Sequence, residues 1–168
     1  MQRIVGIDPG LTCTGYAVIE SNGQASRLLH CDGIRSRGAL AVRLRIIFER
    51  LGVMFNTYKP HTAAIENVFF AKDALAALKL GQARGVALCA AAVAQVPVSE
   101  YSSRSVKKSV VGRGTADKKQ VAYMVARILQ VAERSCFDEA DAIAIALCHA
   151  FSTAGPAALR QTTDSKSP

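Results

Sequence analysis

The amino-acid sequence predicts an α/β domain: a mixed five-stranded sheet whose first three strands run antiparallel, flanked by helices on both faces. Three observations carry this. The 168-residue chain opens with three β-rich segments separated by turn residues, continues with helical periodicities that alternate with two further short apolar runs, and is half hydrophobic. At that length a folded chain buries roughly 70% of its unfolded surface, so one core is expected.

Taken in order, Arg3-Ile-Val-Gly-Ile-Asp8 is a short apolar run closed by Asp-Pro-Gly, and Thr12 to Glu20 carries the β-branched and aromatic residues of a strand. The pair predicts a hairpin. Ser21-Asn22-Gly23 makes the next turn, and about Ala25 to Ile34 completes a meander. Leu40, Leu44, Ile47, Phe48, Leu51, Met54 and Phe55 then fall at helical spacing, with Arg43, Arg45, Glu49 and Arg50 largely between them. They predict an amphipathic helix covering the sheet, ended by Pro60. Thr62 to Glu66 is a short buried strand finishing in a carboxylate, Lys72 to Ala94 a long helix, and Val96-Pro97-Val98 the opening of the last strand. Ser102 to Gly114 reads as basic helix or loop, followed by helices from about Asp117 to Ala132 and from about Asp138 to Phe151. Residues 1–151 are expected to form the domain. Residues 152–168, with little to bury, are expected to form a mobile tail.

Lys plus Arg number 21 against 13 Asp plus Glu, a net charge of +8 that suits a protein meeting a polyanion. The five cysteines, Cys13, Cys31, Cys89, Cys136 and Cys148, are scattered without the spacing of a zinc or redox motif, which predicts a reduced, cytoplasmic chain. Few apolar residues precede Asp8, and no charge-free stretch approaches the roughly 18 residues of a membrane span, so neither export nor membrane insertion is expected.

Four acids sit where burial is costly: Asp8 and Glu66 at strand ends, and Asp138 and Asp141 on the last helix. Singly they read as a turn former, a surface acid and a helix cap. Jointly, adjacent strand ends can bring Asp8 beside Glu66, and Asp138 and Asp141, three residues apart, share a helical face that must pack on that sheet. Such a cluster is unfavourable unless protons or cations neutralise it. An all-oxygen set points to Mg2+ or Mn2+, and two such ions about 3.5–4 Å apart can bracket a scissile phosphate. His149 lies about two turns beyond Asp141 and reads as a core or surface histidine.

At these residues the chain resembles the RuvC family of Holliday junction resolvases, within the ribonuclease H-like superfamily. The likeness spans about Arg3 to Phe151. It rests on Gly6-Ile-Asp8-Pro-Gly10, Thr14-Gly-Tyr16, Ala64-Ile-Glu66, Ala71-Lys72, Ala77-Leu-Lys-Leu-Gly-Gln-Ala-Arg-Gly85, Val110-Val-Gly-Arg-Gly114 and Asp138-Glu-Ala-Asp141-Ala. The resemblance implies that Asp8, Glu66, Asp138 and Asp141 are the Mg2+-binding catalytic acids of a homodimer. It would make paired nicks in four-way junction DNA, leaving 5′-phosphate and 3′-hydroxyl ends, and cooperate with the RuvA and RuvB branch-migration proteins.

Between Tyr101 and Lys119 lie Arg104, Lys107, Lys108, Arg113, Lys118 and Lys119, opposed only by Asp117, around a flexible Gly112-Arg113-Gly114. Such a loop suits phosphate backbones. Resemblance implicates Lys107 and Lys118 in DNA contact and catalysis; the other four join them on charge alone. Phe69 and Phe70 follow Glu66 at the lip of the site, where an exposed aromatic can stack on an unpaired base, and resemblance favours Phe69 as the wedge with Phe70 second. On the long helix Ala77, Gly81, Gly85 and Cys89 recur every fourth residue. This small-residue stripe packs either on the domain's own sheet or across a two-fold dimer, and two sites for two strands favour the dimer. The competing functions are an actin-like or sugar-kinase-type ATP-binding domain, suggested by Gly6 to Thr12 but lacking a second phosphate loop, and a catalytically idle nucleic-acid-binding scaffold.

Overall fold

Five strands, β1 (Gln2–Asp8), β2 (Cys13–Ser21), β3 (Ser26–Arg35), β4 (Thr62–Asn67) and β5 (Val98–Ser102), form one sheet in the order β3-β2-β1-β4-β5. The hairpin and meander are antiparallel, whereas β4 joins β1, and β5 joins β4, in parallel. This computed structural model describes residues 1–67, 74–132 and 137–154. Its helices are α1 (Leu40–Tyr58), α2 (Ala74–Val93), α3 (Ser103–Val111), α4 (Lys118–Leu129) and α5 (Phe137–Thr153).

The central strand is apolar on both sides because the sheet is covered on both. Ile4 packs with Ala17, Ile19 and the α3–α5 layer, while Val5 and Ile7 join Val18 and the α1–α2 layer. On α5 every residue from Ala142 to Ala150 is buried, between the sheet on one side and α3 and α4 on the other. Gly6 makes that approach possible, since a Cβ there would stand 2.1 Å from the Ala142 carbonyl oxygen. The α1 helix buries Ile47, Leu51, Met54 and Phe55 and stops at Lys59, whose left-handed backbone sends its N–H back to the Phe55 carbonyl.

Local chemistry adjusts the sequence expectations. The basic segment after Ser102 is helical: the Ser102 hydroxyl caps α3 by accepting the Ser105 N–H, and Gly112, at φ 85°, closes it. Asp117 and Gln120 form a reciprocal capping box at the start of α4, which ends at Leu129 because Gln130 turns left-handed, three residues short of the Ala132 expected. The last helix runs through Thr153 rather than ending at Phe151, its Ser152 and Thr153 hydroxyls donating to the Cys148 and His149 carbonyls. His149 is a core histidine, its Nδ1 2.8 Å from the Tyr101 hydroxyl. Among the described residues only α2 is long and apolar enough to cross a membrane; here it lays Ala83, Ala87, Ala90 and Ala91 into the α1–α2 core, and its Arg84 pairs with Glu100 at 2.6 Å.

Candidate active site at the carboxyl end of the sheet

The parallel pairing of Ile7 with Ile65 puts Asp8 and Glu66 on the next rung. Since Ile7 and Ile65 point into the α1–α2 core, alternation sends both carboxylates to the α3–α5 side. The first turn of α5 rests there on Gly15, where a Cβ would meet the Asp138 carbonyl oxygen at 2.2 Å. The loop after Asp8 is tied down as well. The Thr14 hydroxyl donates to the Gly10 carbonyl at 2.8 Å, the Ser36 hydroxyl donates to the Leu11 carbonyl, and Arg43 Nη2 reaches Thr12 Oγ1 at 3.2 Å.

The result is a cleft of about 160 Å³ lined by Asp8, Glu66, Asp141, Ser103, Lys107 and Lys118 over Val106, Val121 and Ile145. Lys118 Nζ lies 3.0 Å from Asp141 Oδ2, and this bond raises the lysine pKa. Burial, reinforced by the charges of Glu66 and Asp141, pushes Asp8 up from 3.8 to about 7, with Lys118 acting in the opposite sense and Asp138 adding a further upward push. Asp138 therefore acts on Asp8 electrostatically although it does not line the cleft. Among the described residues no three His, Cys, Asp or Glu side chains stand close enough to hold one ion as placed. The donor chemistry nevertheless fits a hard divalent cation: an oxygen-only set in which burial and neighbouring carboxylates drive Asp8 toward protonation is short of positive charge.

Ser103 is the lining residue that sequence reading missed. Its signal was position alone, one helical turn before Lys107 and so on the same face. Arg104, Lys108, Arg113 and Lys119 lie outside the cleft on exposed surface. Arg104 lies against Gly114, where a Cβ would meet its Cγ at 2.5 Å, while Arg113 and Lys119 flank a shallow depression walled by Tyr123 and Met124. Phe69 and Phe70 fall outside the described residues. The stripe on α2 turns away from its own sheet: Gly81 and Cys89 are exposed, Ala77 and Gly85 half-buried, and a Cβ at either glycine would meet nothing within 4 Å.

An antiparallel meander extended by two parallel strands, with acids at the ends of β1 and β4 and on the helix crossing them, defines a ribonuclease H-like nuclease. The profile of the family described as "Crossover junction endodeoxyribonuclease RuvC" matches residues 4–149. Curated relatives of that name include those of Pseudoalteromonas atlantica, 49% identical over 150 residues (89% of this chain, 87% of that one), and Idiomarina loihiensis, 47% identical over 159 residues (91% and 89%). The Thermus thermophilus RuvC solved in complex with a Holliday junction substrate superposes with a TM-score of 0.87 at 35% identity, covering 92% of this chain and 96% of that one. The chain belongs to the RuvC family of crossover junction endodeoxyribonucleases.

Proposed function

We propose that this resolvase cuts its four-way junction by hydrolysis in the cleft, with Asp8, Glu66, Asp138 and Asp141 holding the metal. The observation that carries the reading is the convergence of acids from β1, β4 and α5 with lysines from α3 and α4. When bound, two divalent ions, Mg2+ or Mn2+, supply an activated water and neutralise charge on the leaving 3′ oxygen. The four carboxylates would hold the ions, Asp8 in its ionised form. Lys118 exchanges its bond to Asp141 for the incoming phosphate, and Lys107, across the same cleft, steadies the phosphate from the α3 side. Arg104, Lys108, Arg113 and Lys119 extend the contact along the DNA backbone, and Phe69, with Phe70 second, wedges the junction.

The stripe Ala77, Gly81, Gly85 and Cys89, turned away from the chain's own sheet, serves as a two-fold dimer contact, giving two sites for two opposed strands. Cooperation with RuvA and RuvB rests on family resemblance alone. Purified protein incubated with labelled four-way junction, linear duplex and ATP, in Mg2+, Mn2+ or EDTA, tests the reading. Paired, metal-dependent nicks confined to the junction are expected, while ATP hydrolysis as the sole activity would overturn it. Asp8→Asn should abolish cutting and leave junction binding intact or tighter, because one repulsive charge is gone; loss of both together would mean a structural role.

A further inference from the structure

We propose that Arg35, Arg37 and Arg43, at the end of β3, in the connection after it and at the start of α1, form a second phosphate-binding surface that seats a DNA arm as it leaves the site. The inference deepens the junction-cutting reading and rests on it.

Register places the first of these residues. Asp8 ends β1 opposite Gly15, Gly15 pairs with Gly33, and Cys13, two residues nearer the loop, pairs with Arg35 at the end of β3. Directly paired residues share a face, so Arg35 stands on the same side of the sheet as Asp8, two strands across and two residues farther out. With strands about 4.8 Å apart and a rise of about 3.4 Å per residue, that separation is about 12 Å, within the reach of one DNA strand that also contacts the cleft.

The surface is fastened to the catalytic loop. Ser36, only 2% exposed, bonds Leu11 through its hydroxyl, and its N–H reaches the Thr12 carbonyl at 3.2 Å. Arg43 bonds Thr12 Oγ1 from α1. The connection carrying Arg35 and Arg37 is thus pinned to the segment that follows Asp8, and cations and carboxylate hold a fixed spacing.

Charge identifies the occupant. On the strands, α1 and α2 five arginines are neutralised internally: Arg3 and Arg27 share Glu20, Arg45 holds Glu49, Arg50 holds Asp32, and Arg84 holds Glu100, whereas Arg104, Arg113 and Arg127, on α3, α4 and the loop between them, pair with no acid among the described residues. Among the described residues, Arg35, Arg37 and Arg43 form no ion pair, and the nearby acids Asp32 and Glu49 are already engaged. An arginine fork fits two phosphate oxygens. Lys107 and Lys118 approach the carboxylates from α3 and α4, and these cations stand at the β3 end of the same sheet edge, so DNA lying over the cleft can be held at both.

The test is fluorescence anisotropy of a labelled four-way junction in EDTA across a KCl series. It compares the unchanged protein, Arg35→Ala/Arg37→Ala and Arg35→Lys/Arg37→Lys, since both side chains are exposed and make no internal pair. The alanine variant should bind roughly sixtyfold more weakly near 0.1 M salt, with a log–log slope shallower by about 1.8, as expected for two lost phosphate contacts at about 0.9 each. The lysine variant should keep the parent slope. One zone of phosphate-ethylation interference flanking the nick should vanish in the alanine variant. Unchanged slope and affinity in that variant, with the parent binding normally, would overturn this surface alone and assign the arginines to another partner, such as an acidic protein. A parent that neither binds nor nicks the junction would overturn the functional reading itself.

Discussion

Helices α5 and α2 are both rich in alanine and apolar along most of their length, yet they occupy opposite environments. On α5 each residue from Ala142 to Ala150 is enclosed, and its approach to the sheet is so close that Gly6 and Gly15 leave no room for a methyl group. On α2 only Ala83, Ala87, Ala90 and Ala91 are buried, while Leu75 and Leu78 are more than half exposed and Gly81 and Gly85 open onto empty space. A glycine in mid-helix costs about 1 kcal/mol relative to alanine. On β1 and β2 close contact within the chain accounts for glycine; on α2 nothing described within the chain does, which is why the proposed dimer is sought there.

The sharpest way to break this contrast is chemical. Asp141→Asn on α5 should lower junction nicking by about a thousandfold or more, equivalent to about 4 kcal/mol of barrier, with the fold retained by circular dichroism. No single alanine on α2 should do so through chemistry. Next in size is the packing asymmetry. Gly6→Ala should destabilise the protein by about 3–5 kcal/mol in urea unfolding, whereas Gly85→Ala should shift the monomer by about 1 kcal/mol in the stabilising direction while weakening self-association in sedimentation equilibrium. Leu78→Glu should likewise yield monomer, and a monomer that still makes coordinated paired nicks would refute the proposed contact.

A smaller effect is written in pH. Asp8 is raised from 3.8 to about 7, first by burial and then by Glu66 and Asp141. The folded, metal-free protein therefore retains a proton that the unfolded chain has lost between these values. Its stability should fall as pH rises through that window and level off above about 7, as measured by denaturation in EDTA. Metal uptake must expel that proton, so affinity by calorimetry should drop about tenfold per pH unit below 7. The Asn variant at position 8 should flatten both profiles and raise the metal-free melting temperature, by roughly 2–4 °C for each kcal/mol of repulsion relieved.

The strands and the acids were legible because each announces itself locally. Asp8 and Glu66 terminate apolar runs, and Asp138 and Asp141 begin a helix with no polar face beyond them. The α3 helix was ambiguous because nine residues are too few to be helical on their own, and its clearest marker is the Ser102 cap. The stripe on α2 was readable, but its direction was not: small residues line several sides of that helix, so periodicity alone does not choose the face that meets the sheet. Ser103 and the Arg35–Arg37 surface were hidden for another reason. Their neighbours in space are set by strand register and by packing between segments far apart in the chain, neither of which leaves a mark in composition.

The shared rung of Asp8 and Glu66 has a consequence for how this gene can vary. A single-codon deletion inside β1 or β4 would slide one strand against the other and invert every side chain beyond it, sending one carboxylate toward α1 and an isoleucine into the cleft. Length is therefore constrained more tightly than identity along these two segments. In-frame insertions and deletions should be tolerated in the Ser21–Ser26 turn, where nothing downstream counts residues toward the cut.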